Sequence, residues 1–276
     1  MKQNKVKIHI AYCGATGSFG EQAARALFPE EELLPCATFR EAYEKTVRGE
    51  SDRTLLPIEN SYAGEVGATM DLLLHGELSV TDVVEMRVVQ NLVAVKGTKI
   101  EEIRTVVSHP QALAQCAEYI AAHHFREEIE ENTAFAAKKV AESGSHEIAA
   151  IASKAAAEAY GLDVLQADVA ESRDNTTRFA VLATDAPEKR KEERLILLFT
   201  VLDRSGALLE ALKIIAAYGF NMKSLHSRPL KDKAWQYYFY VEAEGDGDES
   251  ALLRELAECC SNAKIAGKYL PDVTIE

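Results

Sequence analysis

Three polar clusters in this chain hold the residue types that bind an oxygen-rich anion and hand it a proton. Pro57-Ile58-Glu59-Asn60-Ser61 ends an apolar run. Ser108-His109-Pro110-Gln111-Ala112-Leu113-Ala114-Gln115-Cys116 lies where a strand pattern gives way to a helix. Asn175-Thr176-Thr177-Arg178-Phe179 opens a later strand. Amides and hydroxyls both donate and accept, and the Arg guanidinium is a planar fork of donors with permanent charge. No cluster has metal-ligand spacing, and no Cys–His pair points to an activated thiol. Each also has a plain reading: a turn capping the next helix at Glu59–Ser61, a helix start with Pro in its first turn at Ser108–Pro110, and a strand with one surface ion pair at Thr177–Phe179.

A fourth segment, Gly14-Ala15-Thr16-Gly17-Ser18-Phe19-Gly20, follows a strand and opens a helix, with Ser18 and Glu21 at capping-box spacing. Three readings stand: a turn whose backbone N–H groups hold a carboxylate, a dinucleotide-binding turn, and a structural turn. Against the dinucleotide, the next strand near Leu34–Thr38 does not end in an acidic residue for a ribose. No Lys follows the glycines, which excludes a P-loop.

The elements that must position these groups alternate. A strand through Val6, Ile8 and Ile10 leads to a helix over Gly20–Phe28. Further helices are expected at Phe39–Arg48 and Val66–Leu74, around a buried strand at Thr54–Ile58. Leu78–Val95 holds neither Gly nor Pro and is too long for one strand, so it leaves one lobe and feeds a second. The second lobe is expected to contain strands at Thr105–Ser108, Glu128–Glu130 and Ile148–Ala152, with helices at Pro110–His123, Ala134–Glu142 and Lys154–Tyr160. The chain returns through Thr177–Leu182. Such alternation predicts an α/β fold with a largely parallel sheet, and ligands of such sheets bind beyond strand ends. Asp185–Arg194 reads as a charged linker. After it, strands at Leu195–Leu202, Met222–Ser227, Trp235–Ala243 and Ile265–Tyr269, with helices at Gly206–Tyr218 and Glu249–Cys260, give the β-α-β-β-α-β order of an α+β ferredoxin-like domain.

Composition removes other classes. The net charge is −13, against the clustered Lys and Arg that nucleic acid requires. No apolar run approaches the roughly 18 residues of a membrane helix, and the N-terminus lacks a secretory signal pattern. Five cysteines, at 13, 36, 116, 259 and 260, show no C-x-x-C pair. That usage points to a reducing, cytoplasmic setting with idle thiols.

Taken together, the three clusters resemble the prephenate dehydratase family. The match at Glu59 extends through Gly64, Val66, Thr69, Asp71 and Leu72, and Ser108–Cys116 matches without interruption. The Gly14–Gly20 segment is similar to the family's first motif, with Ala15 where Pro is usual and Gly20 where Ser is usual. Glu171 stands where Asp or Asn is usual. The resemblance implies a two-lobed, periplasmic-binding-protein-like catalytic domain over 1–187, with lobe one at about 1–85 plus 175–187 and lobe two at about 86–174. It implies prephenate as substrate, decarboxylating dehydration to phenylpyruvate, and neither metal nor organic cofactor. Thr177 is then tied to the chemistry. Asn60, Ser61, Ser108, Gln115 and Asn175 surround the substrate, with Gly17 and Ser18 as further donors. Glu59 orients neighbours, Arg178 clasps a carboxylate and Phe179 walls the pocket. His109 is a general base or a cap.

Residues 194–276 resemble the ACT regulatory domain. Gly206-Ala207-Leu208 is intact, and the second signature reads His226-Ser227-Arg228-Pro229 with His in place of the usual Glu. That implies phenylalanine as an effector and pairing of this domain into a homodimer or homotetramer. No chorismate mutase-like helices precede the first strand, so the chain reads as monofunctional. The competing expectations are arogenate dehydratase, a non-catalytic two-lobed sensor and a Rossmann oxidoreductase.

Overall fold

The structure, a computed structural model, describes residues 7–172, 174–185, 193–231, 236–271 and 273–275. In chain order it begins with β1 (His9–Cys13), α1 (Phe19–Leu27), β2 (Glu32–Cys36), α2 (Phe39–Val47), β3 (Arg53–Asn60), β4 (Gly64–Glu65), α3 (Gly67–His75) and β5 (Ser79–Arg87). It continues with β6 (Asn91–Ala94), β7 (Thr105–Ser108), α4 (Pro110–Gln115), α5 (Ala117–Ala122), β8 (Arg126–Ile129), α6 (Thr133–Ser143), β9 (Ile148–Ala152), α7 (Lys154–Tyr160), β10 (Asp163–Gln166) and β11 (Thr176–Ala183). The last elements are β12 (Arg194–Val201), α8 (Ala207–Ala217), β13 (Asn221–Pro229), β14 (Tyr237–Glu244), α9 (Glu249–Leu256), β15 (Cys260–Tyr269) and β16 (Thr274–Ile275). Val6, residues 186–192 of the expected linker, and Trp235 lie outside the described residues.

Two compact units emerge: Met1–Met70 with Val84–Ala180 and Thr274–Glu276, and Asp71–Val83 with Val181–Val273. The first unit holds two lobes. In lobe one, β1 lies between β2 and β3 and runs parallel to both. Ile10, Ala11, Leu55, Leu56 and Ile58 are fully buried there, at about 1.5–3 kcal/mol for each large aliphatic side chain. Helices α1 and α2 bury Ala23, Ala24, Ala42 and Tyr43. Ser18 and Thr38 cap them, each accepting from the backbone N–H three residues on.

Lobe two is a five-stranded sheet in the order β10-β6-β9-β7-β8. β7, β8 and β9 are parallel, as expected, but β6 runs antiparallel to β9 and β10 antiparallel to β6. The long β-rich run does break, at Val88–Gln90, between β5 and β6. The helix expected over Pro110–His123 also breaks, at Cys116, where φ is −117° and ψ is 18°. The break frees the Gln115 carbonyl to accept from Glu171 N, and the Glu171 carboxylate accepts from Glu118 N at the start of α5. An acidic group at a helix N-terminus is favourable, which gives Glu171 a structural role.

In the second unit, β12-α8-β13-β14-α9-β15 makes an antiparallel sheet in the order β13-β14-β12-β15. Leu195, Leu197, Phe199, Ile215, Val241 and Leu252 form its core. This is the ferredoxin-like arrangement. The helix expected to reach Cys260 stops at Leu256, and Cys260 opens β15.

Candidate active site

Thr177, Asn60 and Asn175 meet at a cavity of about 390 Å³ in the first unit. Strand alternation turns Thr177 and Phe179 of β11 toward it, and β3 delivers Asn60 at its last residue. From lobe two come His109, Gln111 and Gln115 around α4, and Asn132 and Thr133 at the start of α6. Phe19, Phe39, Pro57, Val66 and Val88 supply apolar walls, and no Lys or Arg is among the described lining residues.

Asn60 is the hub. Its Oδ1 accepts from the backbone N–H groups of Tyr62 and Ala63 at 3.1 and 3.0 Å, and from Gln111 Nε2 at 3.0 Å. The two N–H donors of its Nδ2 are shared among three acceptors: the Thr176 carbonyl at 3.0 Å, Asn175 Oδ1 at 2.7 Å and Thr177 Oγ1 at 3.0 Å. Backbone donors and acceptors have fixed sense, so they fix which end of the Asn60 amide is which. That sense propagates: Asn175 Nδ2 must donate, and it does, to Gln115 Oε1 at 2.9 Å. Thr177 Oγ1 receives a hydrogen bond from a neutral amide and keeps its own proton to give.

The other expected residues serve elsewhere. Arg178 lies on the opposite face of β11 from Thr177, where Nη1 donates to Glu59 Oε2 at 2.9 Å. Neither side chain lines the cavity. Where the sequence suggests a carboxylate clasp, Arg178 makes an ion pair between β11 and β3, because alternation turns residues 177 and 178 to opposite faces. Ser108 is fully buried and donates to the Ile151 carbonyl on β9 at 2.6 Å. Ser61 fastens the end of β3 to the start of β11: its N–H donates to Thr176 O, and its Oγ accepts from Thr176 N and donates to Asp174 O.

Gly17 and Ser18 also depart from the expected anion cradle. Gly17 N donates to Glu21 Oε2 at 2.6 Å, Ser18 N to Ala15 O, and Ser18 Oγ accepts from Glu21 N. The Gly17 carbonyl accepts from Ser153 Oγ at 2.7 Å, and a Cβ on Gly17 would sit 2.4 Å from Ala156 Cα. The turn is a close contact between lobe one and α7. The next two residues, Phe19 and Gly20, do reach the cavity, as first-turn residues of α1.

His109 caps α4, its Nδ1 accepting from Gln111 N at 3.2 Å. Burial holds its imidazole below the ordinary 6.5, so the ring is neutral with its proton on Nε2. Cys13 lines the cavity too, but burial first, then Cys36 and Glu41, push its thiol up to about 11. It is no poised nucleophile. Gln90, Asn132 and Thr133 were not singled out from sequence. The cap position of Asn132 before an expected helix was the one available signal.

In the second unit, a cavity of about 580 Å³ is lined by Leu202, Asp203, Gly206, Ala207, Leu208 and Ser227, among others. Gly206 has φ +85°, a conformation suited to Gly, and leads directly into α8. His226 and Arg228 alternate away from this cavity, and the His226 ring lies 6.2 Å from that of Tyr240. The His in place of the usual Glu thus removes no carboxylate from the lining.

A two-lobed α/β domain of the periplasmic-binding-protein type, followed in the chain by an ACT domain, defines the class: a small-molecule enzyme with a sensor module. Residues 10–187 match the Prephenate dehydratase family and residues 195–261 the ACT domain family. The chain belongs to the prephenate dehydratase family of carbon–oxygen lyases. It is 35% identical over 286 residues to arogenate dehydratase/prephenate dehydratase 2 of Arabidopsis thaliana, covering 99% of this chain and 75% of that protein. Prephenate dehydratase of Arthrobacter aurescens, solved with L-Phe, superposes with a TM-score of 0.85 at 28% identity, over 95% of this chain and 90% of that one. A structure described as GqqA, a novel type of quorum-quenching acylase, gives a TM-score of 0.84 at 31% identity, over 95% and 97%.

Proposed function

We propose that this chain converts prephenate to phenylpyruvate at the cavity around Thr177. Its catalytic domain spans 1–187 and its regulatory domain 194–276. The bond from Asn60 Nδ2 to Thr177 Oγ1 is the observation that carries the reading. It occupies the hydroxyl as acceptor and leaves the hydroxyl proton for the substrate. In the reaction the C1–carboxylate bond breaks to release CO2, its electron pair enters the ring, and the C4–oxygen bond breaks as the ring becomes aromatic. Thr177 Oγ–H donates a hydrogen bond to that departing oxygen, which leaves with the C4–oxygen electron pair as hydroxide and becomes water with a proton from solvent, so the threonine ends as it began. Donation from Asn60 polarises the hydroxyl and makes it a better donor. A positioned donor of this kind is worth about 10²–10⁴ in rate. Apolar walls and directed N–H groups supply further stabilisation. Phe19, Gly20 and Thr133, at the starts of α1 and α6, line the same space, and a helix N-terminus favours the acid groups of the substrate.

The aminated substrate, arogenate, is the second reading. It is favoured by the Arabidopsis relative whose name carries both activities. The cavity of the second unit takes phenylalanine, supported by its Gly206-Ala207-Leu208 rim and by the L-Phe complex of the Arthrobacter enzyme. Pairing through this unit into a dimer or tetramer is supported by exposed Leu209, Leu225 and Tyr237. A cytoplasmic setting is supported by five free cysteines. The test is direct: purified chain mixed with prephenate should release CO2 and phenylpyruvate in equal amounts. Recovery of unchanged prephenate would defeat the proposal.

A further inference from the structure

Gln90 and Gln115 both line the cavity, are 3% and 5% exposed, and each keeps a fully buried polar atom without a hydrogen-bond partner: Oε1 of Gln90 and Nε2 of Gln115. Buried polar atoms are almost always paired, so two orphans in one cavity call for a ligand. Their conditions differ. Gln115 is fixed in sense, because its Oε1 is taken by Asn175, itself fixed by Asn60 and the backbone. It can only donate. Gln90 has no side-chain hydrogen bond among the described residues; only its backbone carbonyl is engaged, by Val169 N. Nothing sets which way its amide faces, so it can present either C=O or N–H2.

Gln90 lies between β5 and β6, and Gln115 ends α4 of lobe two. Thr177 belongs to β11 of lobe one. In the proposed substrate the leaving oxygen and the C1 substituents are at opposite ends of the ring. An oxygen held at Thr177 leaves those substituents to the other lining residues of the cavity, the two glutamines of lobe two among them. We propose that Gln115 donates to an oxygen common to both substrates, while Gln90 reads the group by which they differ. Gln90 donates N–H to the α-keto oxygen of prephenate, or turns over to accept from the α-ammonium of arogenate. This chain therefore processes both the keto acid and the amino acid. Gln90 is a specificity-determining residue, and this assignment rests on the reading of the Thr177 cavity given above.

The experiment uses the purified full-length chain, wild type and Gln90→Glu, with kcat/KM measured on prephenate and on arogenate. Wild type should turn over both within about tenfold of each other. Gln90→Glu presents an acceptor without the N–H2, and should move the ratio toward arogenate by about tenfold. Because both values come from one preparation, the ratio does not depend on the fraction folded. A shift below threefold, or a wild type more than about a thousandfold selective, overturns the assignment of Gln90 and leaves Thr177 untouched. A wild type inert toward both substrates removes the reading of the cavity itself, and this assignment with it. If Gln90→Glu yields no active protein, Gln90→Met serves: a loss of at least about tenfold on both substrates supports the role, and an unchanged rate on either overturns it.

Discussion

Thr177 and Arg178 are neighbours in sequence and point to opposite faces of one strand. From residue type the Arg was the stronger candidate for an acid group, since of the two it alone carries charge. Its pairing with Glu59 gives it a different task. The structure predicts that Arg178→Gln and Glu59→Gln act on stability, by about 1 kcal/mol each at partly exposed positions, and are non-additive in a double-mutant cycle followed by urea unfolding. If Arg178 instead held the substrate, its variant alone would raise KM, with Glu59→Gln near wild type. His109 yields a pH prediction. Its folded pKa is lowered by burial, so the unfolded chain binds more protons as pH falls below the ordinary 6.5. The stability it contributes is full above 6.5 and is lost as pH falls through the folded value. Thermal melts of wild type should thus weaken more between pH 7 and 5 than those of His109→Asn, which caps without titrating. Parallel curves would contradict the role.

At the scale of elements, most of what positions the site was legible. Hydrophobic alternation, the cap at Ser18, and Pro110 at a helix start all placed strands and helices close to where they fold. Two features were not. The break at Cys116 depends on Glu171, more than fifty residues away, supplying a carboxylate to α5; no local pattern carries that. The docking of Gly17 on Ala156 joins residues far apart in the chain, and the Gly-rich turn reads alone as a place for a ligand. Gly17→Ala should separate lobe one from α7. A loss of about 1–3 kcal/mol in unfolding free energy, with a lower kcat/KM, is expected. Wild-type stability in that variant would mean the contact yields without cost.

Across the whole molecule, function depends on residues from distant parts of the chain sharing one hydrogen-bond network. The motif resemblance identified Asn60, Gln115, Asn175 and Thr177 as a set, and the structure joins them in one chain of amides. Gln90 stands outside any motif, so only its burial beside a cavity reveals it. The thiols give a global check. Cys13 and Cys36 are pushed up to about 11, and Cys116 and Cys260 to about 12, in each case chiefly by burial. The native protein should therefore resist iodoacetamide at pH 8, and take up five equivalents only after denaturation. Rapid labelling of Cys13 in the native state would contradict the upward shift of its thiol. Regulation is tested by calorimetry: phenylalanine should bind wild type, and Gly206→Val, which strains the φ +85° position, should weaken binding at least tenfold without changing kcat in its absence.

The decisive measurement is the turnover of prephenate by Thr177→Val beside Thr177→Ser. Valine keeps the shape and loses the proton, whereas serine keeps the hydroxyl. The account predicts a fall in kcat of at least about 10² for the valine variant, with KM changed less than threefold, and activity within about tenfold of wild type for the serine variant. Wild-type turnover by Thr177→Val would show that the departing oxygen takes its hydrogen bond from somewhere else.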